Sequence, residues 1–528
     1  ESERYCYNTT LCWNPDVEKY FAKAYGADHF SRISAALTRP SCYSCIRVNE
    51  LKTTTDAVFK KLLAVLEERR PQDDSVMVET NVKSDDTASN STSGKYSVSK
   101  CDIPSLDYVI LVKGSGPHSI DYGHEADKPL KEVCVSRKCA EAVLRGAHVY
   151  VPGVLACSAH LEKGETVAVS VAMEQPSANG GWGVGFTRGT VLQGSETGKD
   201  GYPYHSERRG LYIGQGNSML SRAGLFRVSQ GLAIDMKKRV FDLPSFYDVL
   251  EGEIFLQNLP SIIAAHVLDP REGEKIFDMC AAPGGKTTGI AALMKDKGEV
   301  IAADRSHKKV RDIQKLASEL NLKCITPLKL DALKSIRRIN GTCHHQVLHI
   351  ENIQTPDLSS LQIQQMPVTS SMDCKLKHIL SCVSFLYPIH DLFEPRSCIS
   401  RTTEIINSLG GRAGSVEGFL SNSFHRILLD APCSALGLRP RLFTGEDTLE
   451  SLRTHAKYQK RMFDQAVQLV RPGGVIVYST CTINPGENEA VVRYALDTYK
   501  FLSLAPQHPK VGGPGLVGGF SFADGYEE

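Results

Sequence analysis

Four side chains that can do chemistry follow short apolar runs in the second half of the chain. Asp304 and Asp430 each end such a run, Cys433 comes three residues after the second of them, and Cys481 follows the run 475–478. A short apolar run that ends in a polar residue is typical of a buried parallel strand. Because ligands bind at the carboxyl ends of strands in open α/β sheets, we expect these side chains to lie along one edge of a sheet.

A turn with two adjacent glycines precedes these residues. The run 276–279 leads into Ala-Ala-Pro-Gly-Gly, and a helix is predicted to open near Thr287. Gly284 and Gly285 have no Cβ, so the backbone can approach a ligand, and the free amides of a helix start favour a polar or anionic group. Asp304 follows about 20 residues later, where a carboxylate reaches ribose hydroxyls. The spacing is neither Gly-x-Gly-x-x-Gly nor a P-loop, so we predict a nucleotide-like ligand other than a nicotinamide dinucleotide.

Simpler interpretations stay open for each residue taken alone. The glycine pair fits an ordinary strand-helix turn, and a single cysteine is most often a buried structural residue. The coincidence of two cysteines, a carboxylate and the glycine turn at one predicted sheet edge favours a reactive site.

Three segments closely resemble the motifs of the NOL/NOP/Sun family of RNA cytosine-5 methyltransferases. They are Asp-Met-Cys-Ala-Ala-Pro-Gly-Gly-Lys at 278–286, Asp-Ala-Pro-Cys-Ser at 430–434 and Ser-Thr-Cys-Thr at 479–482. The resemblance spans roughly residues 250–500 and implies an α/β, Rossmann-like methyltransferase domain with S-adenosyl-L-methionine as cofactor. It assigns contacts with that cofactor to Cys280, Ala281, Ala282, Pro283, Gly284, Gly285, Lys286, Asp304, Asp331 and Asp430.

The chemistry of cytosine explains why such an enzyme needs thiols. C5 is too electron-poor to attack a methyl sulfonium, whereas a thiolate added at C6 makes C5 nucleophilic. The resemblance implies that Cys481 is this nucleophile and that Cys433 assists product release. It also implies that Asp430 contacts the N3/N4 edge of the base and that Lys286 lies near cofactor and base. The presence of both cysteine motifs favours RNA, since DNA cytosine methyltransferases use the Pro-Cys cysteine as nucleophile.

Composition restricts the number of domains, the kind of RNA surface and the compartment of the protein. Its 528 residues suffice for two or three domains, and 61 basic against 60 acidic residues give a net charge of +1, so any RNA surface must be a local patch. We find no secretory signal or long apolar run, which with 16 scattered cysteines predicts a reducing, cytoplasmic setting without a membrane. Cys42 and Cys45 form a lone Cys-x-x-Cys pair, and the Cys and His residues of 343–382 are irregularly spaced, so no metal is expected.

Residues 1–130 are predicted to form an N-terminal segment of helices with some β structure. Apolar spacing predicts helices over 17–25 and 54–68, and clusters of Asp, Ser, Thr and Asn predict a flexible loop over 71–100. Between the two helices, Arg47-Val-Asn49 is similar to a segment that precedes the catalytic domain in the family.

Residues 131–230 contain short β runs with many glycines, which suggest a small β-barrel inserted before the methyltransferase domain and look like a PUA domain, an RNA-binding module. Arg145, His148 and Tyr150 are candidate RNA contacts by type, because cations bind phosphate and rings stack on unpaired bases. An ordinary barrel without an RNA role is the alternative. The basic cluster 237–239 after the barrel either follows RNA backbone or is a solvated surface.

Residues 231–528 are assigned to the methyltransferase domain, with an unassigned insertion at 335–415. The separation of Asp331 and Asp430 is much longer than one crossover helix and loop require. A helix is predicted over 448–470, ended by Pro-Gly-Gly at 472–474. The family pattern adds a closing β-hairpin to the sheet, which we do not find before Glu528, so we expect a sheet without it.

One kind of family member carries a PUA domain in this position and methylates C72 in the acceptor stem of tRNA. By this resemblance we predict a monomeric tRNA cytosine-5 methyltransferase whose barrel holds the 3′ CCA end. Two alternatives stay open. One is a non-catalytic RNA-binding protein disabled by the insertion, and the other is a methyltransferase that acts on rRNA or mRNA.

Overall fold

Three β-sheets and one two-stranded hairpin organise the described part of the chain. This computed structural model describes residues 5, 7–68, 91–93, 96–122, 130–177, 181–192, 211–246, 248–337, 381–386, 418–513 and 515–516. The predicted fold class, a Rossmann-like α/β sheet with a separate small β domain and an N-terminal helical segment, is confirmed. No helix in these ranges combines the length and apolar character needed to cross a membrane.

The N-terminal segment begins with two helices, α1 (Pro15–Tyr25) and α2 (Ala27–Leu37). α1 starts where it does because the Asn14 side chain accepts a hydrogen bond from the Asp16 amide at 3.0 Å, with proline at the first helical position. α1 is the helix predicted over 17–25. α2 has no side-chain cap, and the sequence did not indicate it.

One more helix and four strands complete this segment. They are β1 (Tyr43–Val48), α3 (Thr55–Glu68), β2 (Ser91–Ser93), β3 (Tyr96–Lys100) and β4 (Val109–Lys113). The flexible loop predicted for 71–100 is wrong in its last part, because β2 and β3 pair as a hairpin and Val98 is fully buried beside β4. Serines flank Val98 on both sides, so the polar composition concealed a strand pattern. Residues 69–90 lie outside the described residues.

The small β domain, called the barrel below, is built from nine strands and two helices. They are β5 (Lys131–Ser136), α4 (Arg137–Val143), β6 (Val149–Tyr150), β7 (Val154–Ser158), β8 (Thr166–Ala172), β9 (Gln175–Pro176), β10 (Trp182–Gly183), β11 (Thr190–Leu192), β12 (Tyr212–Ser218), α5 (Arg222–Arg227) and β13 (Leu232–Arg239). Seven strands form one sheet in the order β11-β7-β5-β8-β12-β13-β6, and β9 pairs with β10. The valines of β5 and β8 are buried in the core of this domain, as β-branched residues of paired strands are expected to be.

The barrel continues past residue 230, where the sequence analysis ended it. β13 pairs with β12 and β6, so the basic cluster 237–239 belongs to the last barrel strand and does not follow the barrel. Arg239 donates two hydrogen bonds to the Ala147 carbonyl at 3.2 and 3.3 Å, which makes its guanidinium part of the packing. Charged residues at the end of β13 concealed the strand, because its apolar half alone is too short to be recognised.

The barrel is inserted between two strands of the N-terminal sheet. The chain leaves that sheet after β4 and returns in β14 (Ile254–Leu256), which pairs with β1. Ser115 and Asp242 exchange two backbone hydrogen bonds of 2.9 Å where the chain enters and leaves the barrel. Gly114 is required beside this crossing, because a Cβ there would lie 2.6 Å from the Asp242 carbonyl oxygen.

The C-terminal sheet carries the remaining elements. They are α6 (Leu259–His266), β15 (Lys275–Asp278), α7 (Gly285–Leu293), β16 (Glu299–Asp304), α8 (His307–Glu319), β17 (Ile325–Lys329), β18 (Ser381–Leu386), β19 (Phe424–Asp430), α9 (Leu449–Leu469), β20 (Val470–Thr480), α10 (Glu489–Thr498) and β21 (Ser503–Leu504). The strand order is β17-β16-β15-β19-β20-β18-β21, and the first five strands are parallel.

Helices cover both faces of this sheet. Ile276 packs in one apolar cluster with α6, α7 and α8, whereas its neighbour Phe277 packs in a second cluster with α9 and α10. Successive side chains of a strand point to opposite faces, so strands buried on both sides read as continuous apolar runs. This arrangement explains why the sequence showed apolar runs instead of alternation.

The insertion at 335–415 contributes one strand to the sheet. β18 pairs antiparallel with β20, and β21 pairs antiparallel with β18. The expectation of a segment without assigned structure is therefore wrong for 381–386. The parts 338–380 and 387–417 lie outside the described residues, as do most of the Cys and His residues that were weighed as metal ligands.

Helix α9 leads directly into the strand that precedes Cys481. Thr448 and Ser451 cap its start reciprocally, each side chain accepting from the other residue's amide at 3.1 Å. The helix ends at Leu469, close to the predicted end, but the Pro-Gly-Gly at 472–474 lies inside β20.

We predict that Ile234→Ala destabilises the barrel by about 2–4 kcal/mol, because it leaves a cavity in a fully buried position of β13. Hydrogen exchange of barrel peptides in the full-length protein measures this loss. Lys237→Ala is the matched control, since its side chain is 54% exposed on the same strand. Equal protection in both variants would contradict the placement of β13 in the barrel core.

Candidate active site

The carboxyl ends of four parallel strands meet along one edge of the C-terminal sheet. Asp278 ends β15, Asp304 ends β16 and Asp430 ends β19. β19 and β20 are paired in register up to Asp430 and Ser479. The two segments that carry Cys433 and Cys481 therefore leave the sheet side by side.

The glycine turn after β15 is held by backbone hydrogen bonds. The Ala281 amide donates to the Ala303 carbonyl at 2.9 Å, and the Gly284 amide donates to the Ala281 carbonyl at 2.7 Å. Gly284 has a φ of +109°, in the region that favours glycine. A Cβ on Gly285, the first residue of α7, would lie 3.2 Å from the Phe255 ring. Gly284 is thus required by the backbone of the turn, and a side chain at 285 would need the Phe255 ring to move.

A cavity of about 220 Å³ opens beside this turn. Its wall contains most of the predicted loop residues and a segment that leads into α6. The lining residues are Phe255, Leu256, Gln257, Asn258, Ser261, Asp278, Cys280, Ala281, Ala282, Pro283, Gly285, Lys286 and Asp430.

Asp278 lines the cavity although the sequence analysis assigned it no role. Its carboxyl is buried, and the Thr287 hydroxyl donates to Oδ2 at 2.7 Å, whereas Oδ1 has no hydrogen-bond partner of normal geometry. Burial raises the pKa of Asp278 to about 7, and the nearby Asp430 adds to the rise. The rule that selected Asp304, a polar residue at the end of an apolar run, also applies to Asp278 and could have found it.

Asp430 is held between two partners at the rim of the cavity. Lys286 Nζ donates to Oδ2 at 2.7 Å, and the Ser479 hydroxyl donates to Oδ1 at 2.7 Å. The lysine side chain is 19% exposed and the aspartate side chain 30%, so a ligand can reach both. The structure therefore brings Lys286 and Asp430 together, as the motifs suggested.

The two motif cysteines lie against each other. Cys433 Sγ and Cys481 Sγ are 3.2 Å apart, both are free and both are half-buried. The hydrogen bond between the two sulfurs lowers the pKa of Cys481, with a further contribution from the Lys286 charge. The same contact and burial raise the pKa of Cys433. Of the two thiols, Cys481 is therefore the one whose ionisation this contact favours.

One buried carboxylate joins the two cysteine segments, and no motif in the sequence marked it as functional. Glu487 has no exposed surface. Its oxygens accept hydrogen bonds from the Ser434 amide (3.0 Å), the Ser434 hydroxyl (2.5 Å), Gln459 Nε2 (2.7 Å) and Asn484 Nδ2 (2.9 Å). No sequence pattern indicated this contact, because Ser434 and Glu487 are distant in the chain.

The N-terminal helices reach the same segment. The Tyr20 hydroxyl donates to Asn484 Oδ1 at 2.9 Å, and the Tyr25 hydroxyl donates to the Ile483 carbonyl. Both tyrosines lie on α1, so this helix supports the chain just after Cys481.

Two predicted cofactor residues have structural partners of their own. Asp304 accepts from the Ser306 amide at 3.0 Å, and Asp331 accepts from the Leu333 amide at 3.0 Å. Neither aspartate lines the cavity. Cys280 lines it, but burial raises the pKa of this thiol well above its usual value, so it is not a nucleophile.

Among the three candidate RNA contacts, Arg145 and His148 follow α4 and Tyr150 ends β6, and their surroundings differ. Arg145 Nη1 donates to the Arg439 carbonyl at 3.5 Å, across the boundary between the barrel and the catalytic domain. His148 Nδ1 is 3.2 Å from an oxygen of Asp235 on β13. Tyr150 is 45% exposed. Of the two rings in this group, that of Tyr150 is the more exposed.

Fold and site define a class. A doubly covered parallel sheet, with a glycine turn after its first strand and a cavity beside that turn, is the arrangement of a Rossmann-like methyltransferase fold.

Comparison with known proteins agrees with this class. The family model of the 16S rRNA methyltransferase RsmB/F matches residues 265–349 and 401–512, and the PUA domain model matches residues 131–178. The rRNA (cytosine-C(5))-methyltransferase NOP2C of Arabidopsis thaliana is 56% identical over 100% of this chain and 87% of its own length. The tRNA (cytosine(72)-C(5))-methyltransferase NSUN6 of Mus musculus is 35% identical over 80% of this chain and 70% of its own length. The crystal structure of NSun6 from Pyrococcus horikoshii with SFG is 25% identical, covers 96% of this chain and 92% of that chain, and gives a TM-score of 0.59.

The chain belongs to the NOL/NOP/Sun family of RNA cytosine-5 methyltransferases and carries a PUA domain. It is therefore an S-adenosylmethionine-dependent RNA methyltransferase, and the resemblance read from its motifs is confirmed.

The residues around the cavity fit S-adenosyl-L-methionine. The glycine turn leaves room for a ligand at the free amides of α7, and a Cβ on Gly285 would crowd that space. Asp278 offers a buried oxygen that lacks a donor, and the ammonium group of the cofactor is such a donor. Lys286 and Asp430 line the side of the cavity nearest the cysteines.

We predict that Asp278→Asn flattens the pH dependence of stability. The folded state prefers the protonated carboxyl, since its pKa is about 7 there and about 3.9 in an unfolded chain, so wild-type stability falls as pH rises from about 4 to 7. The asparagine variant lacks this loss, which amounts to at most about 4 kcal/mol.

Denaturation of both proteins without cofactor, between about pH 5 and pH 8, measures the difference. The stability curves should converge at low pH and diverge towards pH 8, with the variant the more stable. Parallel curves would show that Asp278 ionises as freely in the folded chain as in the unfolded one.

Proposed function

We propose that this protein methylates C5 of cytosine 72 in the acceptor stem of tRNA. The observation that carries the proposal is the shared arrangement of the whole chain. The tRNA (cytosine(72)-C(5))-methyltransferase of Pyrococcus horikoshii matches it over 95% of this chain and 90% of its own length, barrel and catalytic sheet included. The mouse relative, which carries the same description, supports the same assignment.

Cys481 is the proposed nucleophile. The contact with Cys433 lowers its pKa, which favours the thiolate, and the thiolate adds to C6 of the cytosine. The π pair of the C5–C6 bond moves to C4–C5 and that of the C4–N3 bond moves to N3, which takes up a proton, so that C5 becomes electron-rich as in an enamine. When bound, S-adenosyl-L-methionine supplies an electrophilic methyl group.

Asp430 and Lys286 are proposed to hold the base. The Asp430 carboxylate has lone pairs for the N4 amino group of cytosine and for a proton at N3. Its orientation is set by hydrogen bonds of 2.7 Å from Lys286 and Ser479, so it is positioned before the base arrives. Lys286 also lines the cavity, which supports a second role beside the cofactor.

Cys433 is proposed to assist release. Once C5 is methylated, its proton passes to solvent water, the electron pair of the C5–H bond restores the C5–C6 double bond, and the C6–sulfur bond breaks, which frees Cys481 as a thiolate. The Cys433 sulfur lies 3.2 Å from that of Cys481. Because the pKa of Cys433 is raised, it remains a thiol that can donate a hydrogen bond to the departing sulfur.

The barrel is proposed to hold the 3′ CCA end of the tRNA. Tyr150 offers an exposed ring for stacking, with His148 and Arg145 nearby in sequence.

A single chain contains every group that this chemistry needs, so we propose that it acts as a monomer. A reducing cytoplasm is the fitting compartment, since it keeps two thiols at this distance from oxidising.

Ribosomal RNA is the second candidate substrate. The relative that is 56% identical over 100% of this chain is described as an rRNA (cytosine-C(5))-methyltransferase. The catalytic residues would be the same in both cases, and only the RNA held by the barrel would differ.

We predict that Cys481→Ala abolishes both methylation and the covalent RNA adduct, because no thiolate remains to attack C6. Cys433→Ala should instead let the adduct accumulate, because release of Cys481 is slowed. Denaturing gels of protein mixed with radiolabelled RNA measure the adduct. An adduct that persists in Cys481→Ala and is lost in Cys433→Ala would reverse the two roles.

The substrate is decided by mapping 5-methylcytosine in purified RNAs after incubation with cofactor. We expect the wild-type protein to modify C72 of intact tRNA, and to modify neither a C72→U transcript nor tRNA without its CCA end. Cys481→Ala is the control for background modification. Incorporation into rRNA alone would favour the second candidate. RNA binding without any incorporation would favour a non-catalytic RNA-binding protein.

A further inference from the structure

The segment 433–447, here called the cysteine loop, connects the catalytic sheet to both other parts of the protein. Leu436 is fully buried in the apolar cluster of the N-terminal helices, and Leu442 is buried in the core of the barrel. The loop that begins at Cys433 therefore places one leucine in each neighbouring core. Its conformation depends on residues outside the methyltransferase domain.

Polar contacts tie the loop to the barrel. The Leu442 amide donates to Glu141 Oε1 on α4 at 3.1 Å. The Phe443 ring lies between Trp182, with ring centroids 4.8 Å apart, and the Arg137 guanidinium, 5.5 Å from its centroid. These contacts fix the middle of the loop against the barrel.

A second set of contacts ties the loop to the N-terminal segment. The Arg441 amide donates to the Leu37 carbonyl at the end of α2, at 2.8 Å. The Arg439 side chain donates to the carbonyls of Arg39 and Pro40 at 3.0 and 3.1 Å. The backbone of Arg441 is thus set by α2, one residue before the contact with the barrel.

From this fixed backbone position, the Arg441 side chain contacts the start of the loop, next to Cys433. Its Nη2 donates to the Ala435 carbonyl at 2.6 Å, two residues after Cys433. Ala435 has a φ of +57°, a left-handed backbone that a residue other than glycine rarely adopts without support. The next turn is held by the Gly437 amide, which donates to the Cys481 carbonyl at 2.9 Å.

Arg441 is well placed to affect the thiols as well as the backbone. Its side chain is 16% exposed, with the carboxylate of Asp447 3.8 Å away. The guanidinium is near enough to Cys481 for the charges of the two groups to interact. A cation near a thiolate favours the charged form of the sulfur.

We propose that Arg441 is a positioning residue for the two thiols, and that the docking of the barrel and the N-terminal helices on the cysteine loop sets Arg441 in place. The proposal rests on the proposed function, in which Cys481 attacks and Cys433 assists release. It adds that the geometry of the two thiols depends on how the barrel and the N-terminal helices dock on the cysteine loop. This dependence is separate from any binding of RNA by the barrel.

The test compares Arg441→Met with Arg441→Lys in the full chain. The readout is the pH dependence of iodoacetamide alkylation at Cys481, resolved from Cys433 by mass spectrometry. We expect Arg441→Met to slow alkylation at neutral pH about tenfold, since loss of a nearby charge raises a thiol pKa by about one unit. Arg441→Lys keeps the charge and should recover the pH profile in part. In methylation assays kcat should fall while the KM for cofactor stays unchanged.

Arg188→Met is the matched control. Arg188 also donates to backbone carbonyls, those of Val151 and Leu225, but it does so within the barrel. Its loss should leave the alkylation profile of Cys481 unchanged. A wild-type profile in Arg441→Met, with only a lower melting temperature, would reduce Arg441 to a structural residue and overturn the proposal.

The contact between the barrel and the cysteine loop is tested with Glu141→Ala and Glu141→Gln. The alanine removes the acceptor of the Leu442 amide and should shift the alkylation profile in the same direction as Arg441→Met, whereas the glutamine keeps an acceptor oxygen and should restore it. An unchanged profile in Glu141→Ala would refute the dependence on docking. Alkylation needs no RNA, so these arms decide the proposal even if the wild-type protein methylates none of the RNAs tested.

Discussion

Four hydrogen bonds to one buried carboxylate hold the reactive site together. Cys433 and Cys481 belong to segments that leave two different strands, and nothing in either segment alone would bring their sulfurs to 3.2 Å. Glu487 accepts from the amide and hydroxyl of Ser434 on one segment and from Asn484 on the other, while helix α9 supplies the fourth donor. A buried charge whose hydrogen bonds are all satisfied fixes geometry strongly, because any rearrangement leaves it uncompensated.

The carboxyls of Asp278 and Asp430, at the ends of neighbouring strands, have different surroundings. Asp430 lies beside Lys286 and remains accessible at the rim of the cavity. Asp278 is buried and has only the Thr287 hydroxyl as a donor of good geometry, so its pKa is raised to about 7. The same side-chain type is thus an accessible partner of a lysine at one position and a buried carboxyl whose ionisation is disfavoured at the other.

The sequence was informative wherever function depends on local pattern. Apolar runs that end in polar residues located the sheet edge, and short motifs located the glycine turn and both cysteines. It failed where contacts join distant segments: Glu487 binds Ser434 across 53 residues of chain, and Leu37 and Glu141 contact the cysteine loop from other parts of the protein, so no spacing rule relates them to Cys433. It also failed where composition concealed a strand. Serines concealed β3, a charged end concealed β13, and β18 lies in an insertion with no recognisable pattern.

The positions at which the chain enters and leaves the barrel affect how this domain can be gained or lost in evolution. Ser115 and Asp242 form an antiparallel pair with two hydrogen bonds, so the entry and exit points of the barrel are adjacent. Residues paired in this way have Cα atoms about 5.5 Å apart. A short turn could therefore replace everything between them while β4 and β14 keep their places beside β1. By this route an ancestral gene could gain or lose the whole module in a single recombination event without rebuilding the sheet that receives it.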